Sequence, residues 1–229
     1  MIYLTSDFHF FHNREFVYEA RGFDSVEEMN NRIVQNFNHI VKYDDDVYIL
    51  GDLLLGGFDK QYEGLELIGA LNGKLHLIRG NHDTNQRWAA YESLHNVVEM
   101  QNAIYLNYKK YHFYLSHFPT ITGNIEKEAL RQMTLNLYGH THQWESNFFE
   151  DKPYMYHVGV DSHNCTPILL DDIIKEMKIK YQKEKEQEKE IIIPRCNKCV
   201  YEYDCCNDDD LDGKCKTYKR DPPDGGYYG

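Results

Sequence analysis

The segment LIRGNHD, residues 77–83, ends a short apolar run and leads directly into a cluster of polar and ionisable side chains. In a chain of this composition, chance would produce G-N-H-D about 0.005 times, so the segment is a specific signal. The run Leu75–Ile78 is short, mostly aliphatic and followed by Gly80, which is typical of a buried strand. Asn81, His82 and Asp83 are therefore predicted to lie at the carboxyl end of that strand.

Four other polar blocks follow apolar runs in the same way. The runs at 2–5, 47–50, 111–115 and 135–138 are followed by Asp7-Phe-His9, Gly51-Asp52, Ser116-His117 and Gly139-His-Thr-His142. Chance would give G-H-x-H about 0.04 times, whereas D-x-H and G-D are each expected about once and carry little weight alone. Because strand ends in α/β folds collect at one rim of a sheet, the five blocks are predicted to form one pocket.

Helices are predicted between these strands. Ser25 and Glu28 form a capping-box pattern ahead of an apolar face that includes Met29, Ile33 and Phe37. Further helices are predicted at about 60–71 and 86–95, and a sixth strand at 154–160. The alternation of strands and helices predicts a layered α/β fold over residues 1–172.

The rest of the chain differs in composition. Residues 173–193 are rich in Lys and Glu and are predicted to form a solvated helical connector. Residues 194–229 contain five cysteines and few large aliphatic residues, so an ordered tail needs a metal or a protein partner to dock on. One zinc bound by cysteines, an iron–sulfur cluster and an unliganded tail all remain open; the cysteines are Cys196, Cys199, Cys205, Cys206 and Cys215.

The composition also excludes functional classes. The chain has 25 Lys and Arg against 37 Asp and Glu, and its formal net charge of -12 disfavours a protein that coats nucleic acid. The first residues, MIYLTSDFHF, lack the basic and apolar regions of a signal peptide. Nowhere do about eighteen consecutive apolar residues occur, as a membrane span requires. We therefore expect a cytoplasmic protein without a membrane segment.

The five blocks, in this order, resemble the signature of the calcineurin-like metallophosphoesterases: D-x-H, G-D, G-N-H-[DE], a later His and G-H-x-H. The resemblance covers residues 1–172. The segments around the five blocks are most similar to those of small, single-domain bacterial and phage-type members. It implies an α-β-β-α sandwich. Phe11 stands where those members commonly have glycine, so we expect a different shape for the first loop. In the serine/threonine phosphoprotein phosphatases of this superfamily, the G-D block continues as D-R-G and Glu is usual at the position of Asp83. This chain has neither feature, which disfavours protein dephosphorylation.

The resemblance also implies the roles of the site residues. It assigns one divalent metal to Asp7, His9, Asp52 and His142, and a second to Asp52, Asn81, His117 and His140. His82 is then the expected general acid, and Asp83 is expected to orient its ring or to raise its pKa. Nitrogen and oxygen ligands without thiolate suit Mn²⁺, with iron, zinc, nickel or cobalt as alternatives.

Such a centre predicts hydrolysis of a phosphate ester. Two metals lower the pKa of a bridging water and neutralise phosphoryl charge, and His82 protonates the leaving oxygen. Only two ligands are carboxylates, so the pocket is net positive and attracts a small phosphate ester or nucleotide; a phosphodiester is favoured. His12, Arg14 and Arg79 are further candidates for contact with the phosphate or the leaving group, although an arginine at a strand end more commonly pairs with a surface carboxylate and a loop histidine is more often only exposed.

Two other functions remain open at this stage. One is a catalytically idle protein-binding scaffold of the same fold, which the complete set of ligand positions disfavours. The other is a nuclease recruited by its tail, which the acidity of the chain disfavours. A second D-x-H block, Asp161-Ser-His163, is expected to support the ligands or to structure a loop rather than to bind metal.

Overall fold

The computed structural model describes residues 1–123, 129–142 and 152–191, and the strands within them form two sheets. In chain order these strands are β1 (Ile2–Thr5), β2 (Asp46–Ile49), β3 (Lys74–Ile78), β4 (Val97–Gln101), β5 (Ala103–Tyr108), β6 (Tyr111–Ser116), β7 (Thr134–Tyr138), β8 (Met155–His157) and β9 (Ile168–Leu169).

Parallel pairing dominates both sheets. In the first sheet, β1 to β4 run parallel in the order β4-β3-β2-β1, and β9 pairs antiparallel with β1. In the second sheet, β6, β7 and β8 run parallel, and β5 pairs antiparallel with β6. Each sheet therefore presents the carboxyl ends of several neighbouring strands at one rim.

The helices are α1 (Glu15–Tyr18), α2 (Val26–Ile40), α3 (Gln61–Gly69), α4 (Asn85–Tyr91) and α5 (Leu170–Ile191). The predicted cap of α2 is present, because the Ser25 side chain accepts a hydrogen bond of 3.1 Å from the backbone N–H of Glu28. The reciprocal bond is shifted by one residue, since the Glu28 carboxylate accepts from the N–H of Asp24. α2 thus begins where the sequence predicts.

Two clusters of buried apolar side chains hold the layers together. Successive residues of β2 alternate between them, with Val47 and Ile49 facing the helices and Tyr48 facing the second sheet. The first cluster packs the first sheet against α2 through Met29, Ile33 and Phe37. The second cluster joins the first sheet to the second through Leu4, Leu50, Ile78, Phe113, Leu115, Leu135 and Leu137. The predicted layered α/β class is confirmed.

Three strands and one helix have no counterpart in the sequence prediction. They are β4, β5, β9 and α1, and all except the six-residue β5 are short. The sequence of β4, VVEMQ, shows no clean alternation of buried and exposed side chains, so its pattern does not indicate a strand. The strand predicted at 154–160 is also shorter, because the chain turns into a 3-10 turn at Val160–Ser162.

The charged helix is more than a solvated connector. Its first turns are part of the second cluster, where Leu170, Ile173, Ile174 and Met177 are buried. The high Lys and Glu content conceals this apolar stripe, which has the spacing of one helix face. The interpretation of residues 173–193 as fully solvated is therefore wrong for the first half of α5.

Contacts divide the chain into two units, Met1–Gln187 and Glu188–Gly229. Most of α5 therefore belongs to the first unit rather than to a separate segment that starts at residue 173. The cysteine-rich tail at 194–229, including its proposed metal ligands, lies outside the described residues. None of the helices in the described part of the chain is long and apolar enough to cross a membrane.

Candidate metal centre

The five polar blocks meet in one place, but they come from the rims of two sheets rather than one. Asp7, Asp52 and Asn81 follow β1, β2 and β3 of the first sheet. His117 and His140 follow β6 and β7 of the second. Strand ends from two sheets therefore meet at this place. The sequence analysis predicted strand ends from a single sheet.

Several candidate ligands have a left-handed backbone conformation. Asp7, His9, Asp52 and His140 have φ angles of 59°, 51°, 56° and 68°. Such angles are uncommon for residues other than glycine, and they persist where the surrounding structure holds them. Here the loops hold each other, because the N–H of Asp7 donates to Gly51 O and that of His9 to Asp52 O, both at 3.0 Å.

The glycines of the signature permit the close approach of these loops. Gly51 has a φ of 92°, and a Cβ atom there would lie 2.6 Å from Nδ1 of His117 and 2.7 Å from Cα of Gly80. A Cβ atom on Gly80 would lie 2.2 Å from Oδ1 of Asp52. Side chains at either position would therefore push the candidate ligands apart.

The first group of candidate ligands is Asp7, His9 and His142, each with one ligand atom within 4.8 Å of the others. His9 Nε2 lies 3.8 Å from Asp7 Oδ1 and 3.7 Å from Asp52 Oδ2. Within the described residues, Asp7 Oδ1 and both ring nitrogens of His9 are buried without a hydrogen-bond partner. Buried polar atoms are normally paired, so these orphaned atoms fit a cation.

The second group gathers around the side-chain oxygen of Asn81. His117 Nε2 lies 2.8 Å and His140 Nδ1 3.0 Å from Asn81 Oδ1. The other ring nitrogen of His117, Nδ1, donates to Leu50 O at 2.8 Å, which leaves Nε2 as the lone-pair atom. His117 Nε2 is also 3.5 Å from Asp52 Oδ2. Asp52 Oδ2 thus lies between the two groups, as a bridging ligand must.

Burial shifts the pKa values of two candidate ligands, Asp7 and His9. Burial raises the pKa of the Asp7 carboxyl to about 6 and lowers the pKa of the His9 imidazole well below its usual value. Low-pKa imidazole is neutral at physiological pH and therefore able to donate a lone pair. A bound cation would favour the ionised carboxylate of Asp7.

His82 lies at the open side of the centre. Its backbone N–H donates to Asp52 Oδ1 at 2.9 Å, and its ring Nε2 is 3.9 Å from Asp52 Oδ2. The side chain is 44% exposed, in contrast to the buried ring of His9. A solvent-facing imidazole beside the two ligand groups is suited to proton transfer.

The prediction that Asp83 orients His82 is wrong. Asp83 Oδ2 accepts from the N–H groups of Gly80 (2.8 Å) and Asp52 (2.9 Å). Asp83 Oδ1 accepts from the Tyr91 hydroxyl at 3.1 Å and from the N–H of Leu53 at 3.3 Å. The buried N–H groups of two tight loops need an acceptor, and the carboxylate turns toward them. Asp83 therefore joins the loops that carry Asp52 and His82.

The three predicted substrate contacts have different environments. The His12 ring lies 5.5 Å from the His9 ring, beside the first group, and Arg14 is exposed just before α1. Arg79 is engaged elsewhere, since its Nε donates to Asp83 O and its Nη2 to Asn85 Oδ1. Its guanidinium also covers the Trp88 ring at 5.8 Å. Arg79 therefore holds the turn, which agrees with the structural alternative rather than with substrate contact.

Two arginines near the centre carry no sequence signal. Arg87 on α4 donates to the carbonyl oxygens of His82 (2.8 Å) and Gly56 (2.6 Å), so it holds the loop of the candidate acid. Arg21 pairs with Asp161, whose Oδ2 accepts from His142 Nδ1 at 2.8 Å. The block Asp161-Ser-His163 draws attention to Asp161, but no pattern indicates either arginine.

Comparison with known proteins identifies relatives over most of the described chain. Residues 1–156 match the family model described as the calcineurin-like phosphoesterase superfamily domain. An uncharacterized protein of Methanocaldococcus jannaschii is 33% identical over 180 residues, which cover 76% of this chain and 89% of that protein. The gene 66 protein of Mycobacterium phage L5 is 27% identical over 180 residues, covering 70% and 86%.

A solved structure shares the fold. A protein of unknown function from Aquifex aeolicus superimposes with a TM-score of 0.59 at 25% sequence identity. The match covers 76% of this chain and 98% of the Aquifex protein. The similarity therefore includes nearly the whole of that smaller protein.

Proposed function

The chain belongs to the calcineurin-like phosphoesterase superfamily, and from this membership we propose that it is a binuclear metal-dependent phosphodiesterase. The observation that carries the proposal is the position of Asp52 Oδ2, 3.7 Å from His9 Nε2 and 3.5 Å from His117 Nε2. One carboxylate oxygen thus faces ligand atoms of both groups. Sites of this kind hold two divalent ions that share a carboxylate.

We assign the ligands by these two groups. One ion would be held by Asp7, His9, Asp52 and His142, and the other by Asp52, Asn81, His117 and His140. When bound, the ions supply Lewis acidity, which activates water and neutralises charge on the phosphoryl oxygens. The nitrogen and oxygen donors suit Mn²⁺, and they are also compatible with iron, zinc, nickel or cobalt.

His82 is the proposed general acid. Its exposed ring is able to reach the oxygen of a departing alcohol while its backbone N–H stays bonded to Asp52 Oδ1. Proton donation of this kind contributes about 10²- to 10⁴-fold to the rate. Arg87 is a positioning residue, because its bond to the carbonyl oxygen of His82 fixes the loop that carries the ring.

A phosphodiester with a small or nucleotide group is the proposed substrate. The protein as a whole is acidic, but the acidic groups near the centre are already committed to partners. Asp161 is paired with Arg21, and Asp83 accepts hydrogen bonds from buried backbone N–H groups. Two divalent ions against the two ligand carboxylates leave the pocket positive and attractive to a phosphate group.

Metal-dependent hydrolysis tests the proposal. After chelation, the full chain is expected to lose hydrolysis of bis-p-nitrophenyl phosphate and to regain it with added Mn²⁺, with about two Mn²⁺ ions bound per chain. p-Nitrophenyl phosphate and short oligonucleotides, assayed in parallel, separate a diesterase from a monoesterase and from a nuclease. Absence of metal-dependent hydrolysis of every substrate would instead indicate a protein-binding scaffold.

The tail requires a separate measurement. We propose that its cysteines hold one zinc, since five cysteines in a segment with few large aliphatic residues favour that ion. Zinc and manganese are therefore counted separately in the same sample.

A further inference from the structure

Arg21, in the turn after α1, has a guanidinium that is almost completely buried, with 1% of its side chain exposed. Its Nε donates to Asp161 Oδ1 at 2.8 Å, and its Nη2 approaches Asp161 Oδ2 at 3.2 Å. The same group donates to the carbonyl oxygens of Phe8 and Asp7, both at 2.9 Å. A buried guanidinium is stable only with such complete pairing.

Asp161 extends this network to the second sheet. Its Oδ2 accepts from Nδ1 of His142, which follows β7, whereas Asp7 follows β1 in the first sheet. The hydrogen bond from Nδ1 to Asp161 fixes the orientation of the His142 ring. Arg21 thus holds one ligand through its backbone carbonyl and another through Asp161.

We propose that Arg21 and Asp161 are positioning residues that set the metal affinity of the first site. The inference rests on the proposed function, because it needs Asp7, His9 and His142 to bind a metal. The hydrogen bonds of Arg21 reach Asp7, Phe8, Met29 and Asp161, and that of Asp161 reaches His142. Asp7 also lies near Asp52 and His117, whereas the bond between Asp161 and His142 reaches the first group alone, so we expect the larger effect at the first site.

Metal titration of the full chain tests this selectivity. In Asp161→Asn the amide keeps an acceptor oxygen but lacks the negative charge that pairs with His142 and Arg21. The Mn²⁺ affinity of one of the two sites is therefore expected to fall about 10- to 100-fold. The other site should change less than about threefold. Arg21→Lys keeps the charge without the planar fork and is expected to weaken the same site to a smaller degree. Mn²⁺ binding is followed by calorimetry and by electron paramagnetic resonance.

Arg32→Lys is the matched control, because Arg32 is an exposed arginine on α2 that lines the same 330 Å³ cavity as Arg21. Thermal unfolding of the metal-free variants shows whether each remains folded. Equal weakening of both sites, or no weakening in Asp161→Asn, would overturn the inference. Failure of the unaltered chain to bind Mn²⁺ would contradict the proposed function instead.

Phe118 provides a second and independent observation, at the other group of ligands. Its ring lies 4.6 Å from the ring of His140 and 5.0 Å from that of His117, yet its side chain is 49% exposed. The turn is held in place, because Phe118 O accepts from the hydroxyls of Ser116 (2.8 Å) and Thr120 (3.0 Å). An apolar ring is therefore fixed at the edge of the centre and half open to solvent.

We infer that Phe118 stacks on a nucleobase that belongs to one of the two ester-linked groups of the phosphodiester. Aromatic side chains stack on the faces of nucleobases, and stacking of this kind tolerates any base. The contact lies beside the second metal site, which places the base next to the reacting phosphate. The inference deepens the proposed function by naming nucleotide diesters as the substrate class.

Two diesters with the same leaving group test the stacking. Thymidine 5′-(p-nitrophenyl phosphate) carries a base, whereas methyl p-nitrophenyl phosphate does not. Phe118→Ala is expected to lower kcat/KM for the thymidine ester about 5- to 100-fold and for the methyl ester less than about threefold. Phe118→Trp should retain the preference, because indole also stacks.

Tyr43→Ala is the matched control, since Tyr43 is 81% exposed and precedes β2, at the end of the strand opposite to Asp52. An equal loss on both esters in Phe118→Ala would assign the ring a structural role and overturn the inference. Unchanged kcat/KM values for both esters in Phe118→Ala would overturn it as well. If the unaltered chain hydrolyses neither ester with Mn²⁺, the proposed function fails instead.

Discussion

Replacing Asp52 by alanine should lower kcat/KM for bis-p-nitrophenyl phosphate by about a thousandfold or more. The reason is that Asp52 Oδ2 faces His9 Nε2 in one ligand group and His117 Nε2 in the other. In the proposed binuclear centre its loss would remove a ligand from both sites at once, and with it the negative charge that would hold two cations together. Mn²⁺ titration should show that both sites weaken in the same variant.

Asp52→Asn separates this effect from a collapse of the loops. The amide keeps the shape of the side chain and an oxygen that accepts from the backbone N–H of His82, as Oδ1 does at 2.9 Å. The variant should remain folded yet bind Mn²⁺ weakly. Asp44→Ala is the matched control, because Asp44 is exposed and lies just before β2. Undiminished hydrolysis in Asp52→Ala would rule out a shared carboxylate.

Replacing His82 by alanine should lower kcat about 10²- to 10⁴-fold while both metal sites keep their affinity. The His82 side chain belongs to neither ligand group, and only its backbone N–H bonds to Asp52. The loss should be larger for a phenyl ester than for a p-nitrophenyl ester, because a poor leaving group depends more on proton donation. A series of aryl diesters with different leaving-group pKa values measures this difference.

His39→Ala controls for the removal of an imidazole, since His39 is exposed on α2. Metal content distinguishes the two roles that a histidine can have in this centre. Should His82→Ala lose one of the two Mn²⁺ ions, His82 is a ligand rather than an acid. Should it lose turnover equally with all leaving groups, proton donation is not its role.

Most of the fold was predictable from local patterns. The strands that carry the centre are short apolar runs followed by glycine or polar residues, and β1 occupies Ile2–Thr5 as predicted. The pattern fails where burial is mixed, as in β4, and where charge masks an apolar stripe, as in α5 with its buried Ile173 and Met177. The apolar side chains of β4 and α5 are recognisable as core residues only when the neighbouring layers that they contact are known.

The candidate ligands were predictable to a similar degree, because their order along the chain follows the order of the strands. Asp7, Asp52 and His117 are brought together by parallel strand ends, and parallel pairing is what the alternation of strands and helices predicts. Asp83 was not predictable, since its neighbour in sequence is His82 but its hydrogen bonds go to Asp52 and Tyr91. Adjacency in sequence does not determine the direction of a side chain in a tight loop.

The sequence alone therefore determined the α/β class, the family and the kinds of candidate ligand atom, because these depend on residue types at the ends of strands. Only the tertiary structure decided which side chains contact the candidate ligands. Arg21 and Asp161 are 140 residues apart, and their pairing, with the bond from His142 to Asp161, forms only when the loops at the strand ends of the two sheets come together. Local sequence patterns do not indicate such contacts, since residues far apart in the chain meet only after the layers have packed together.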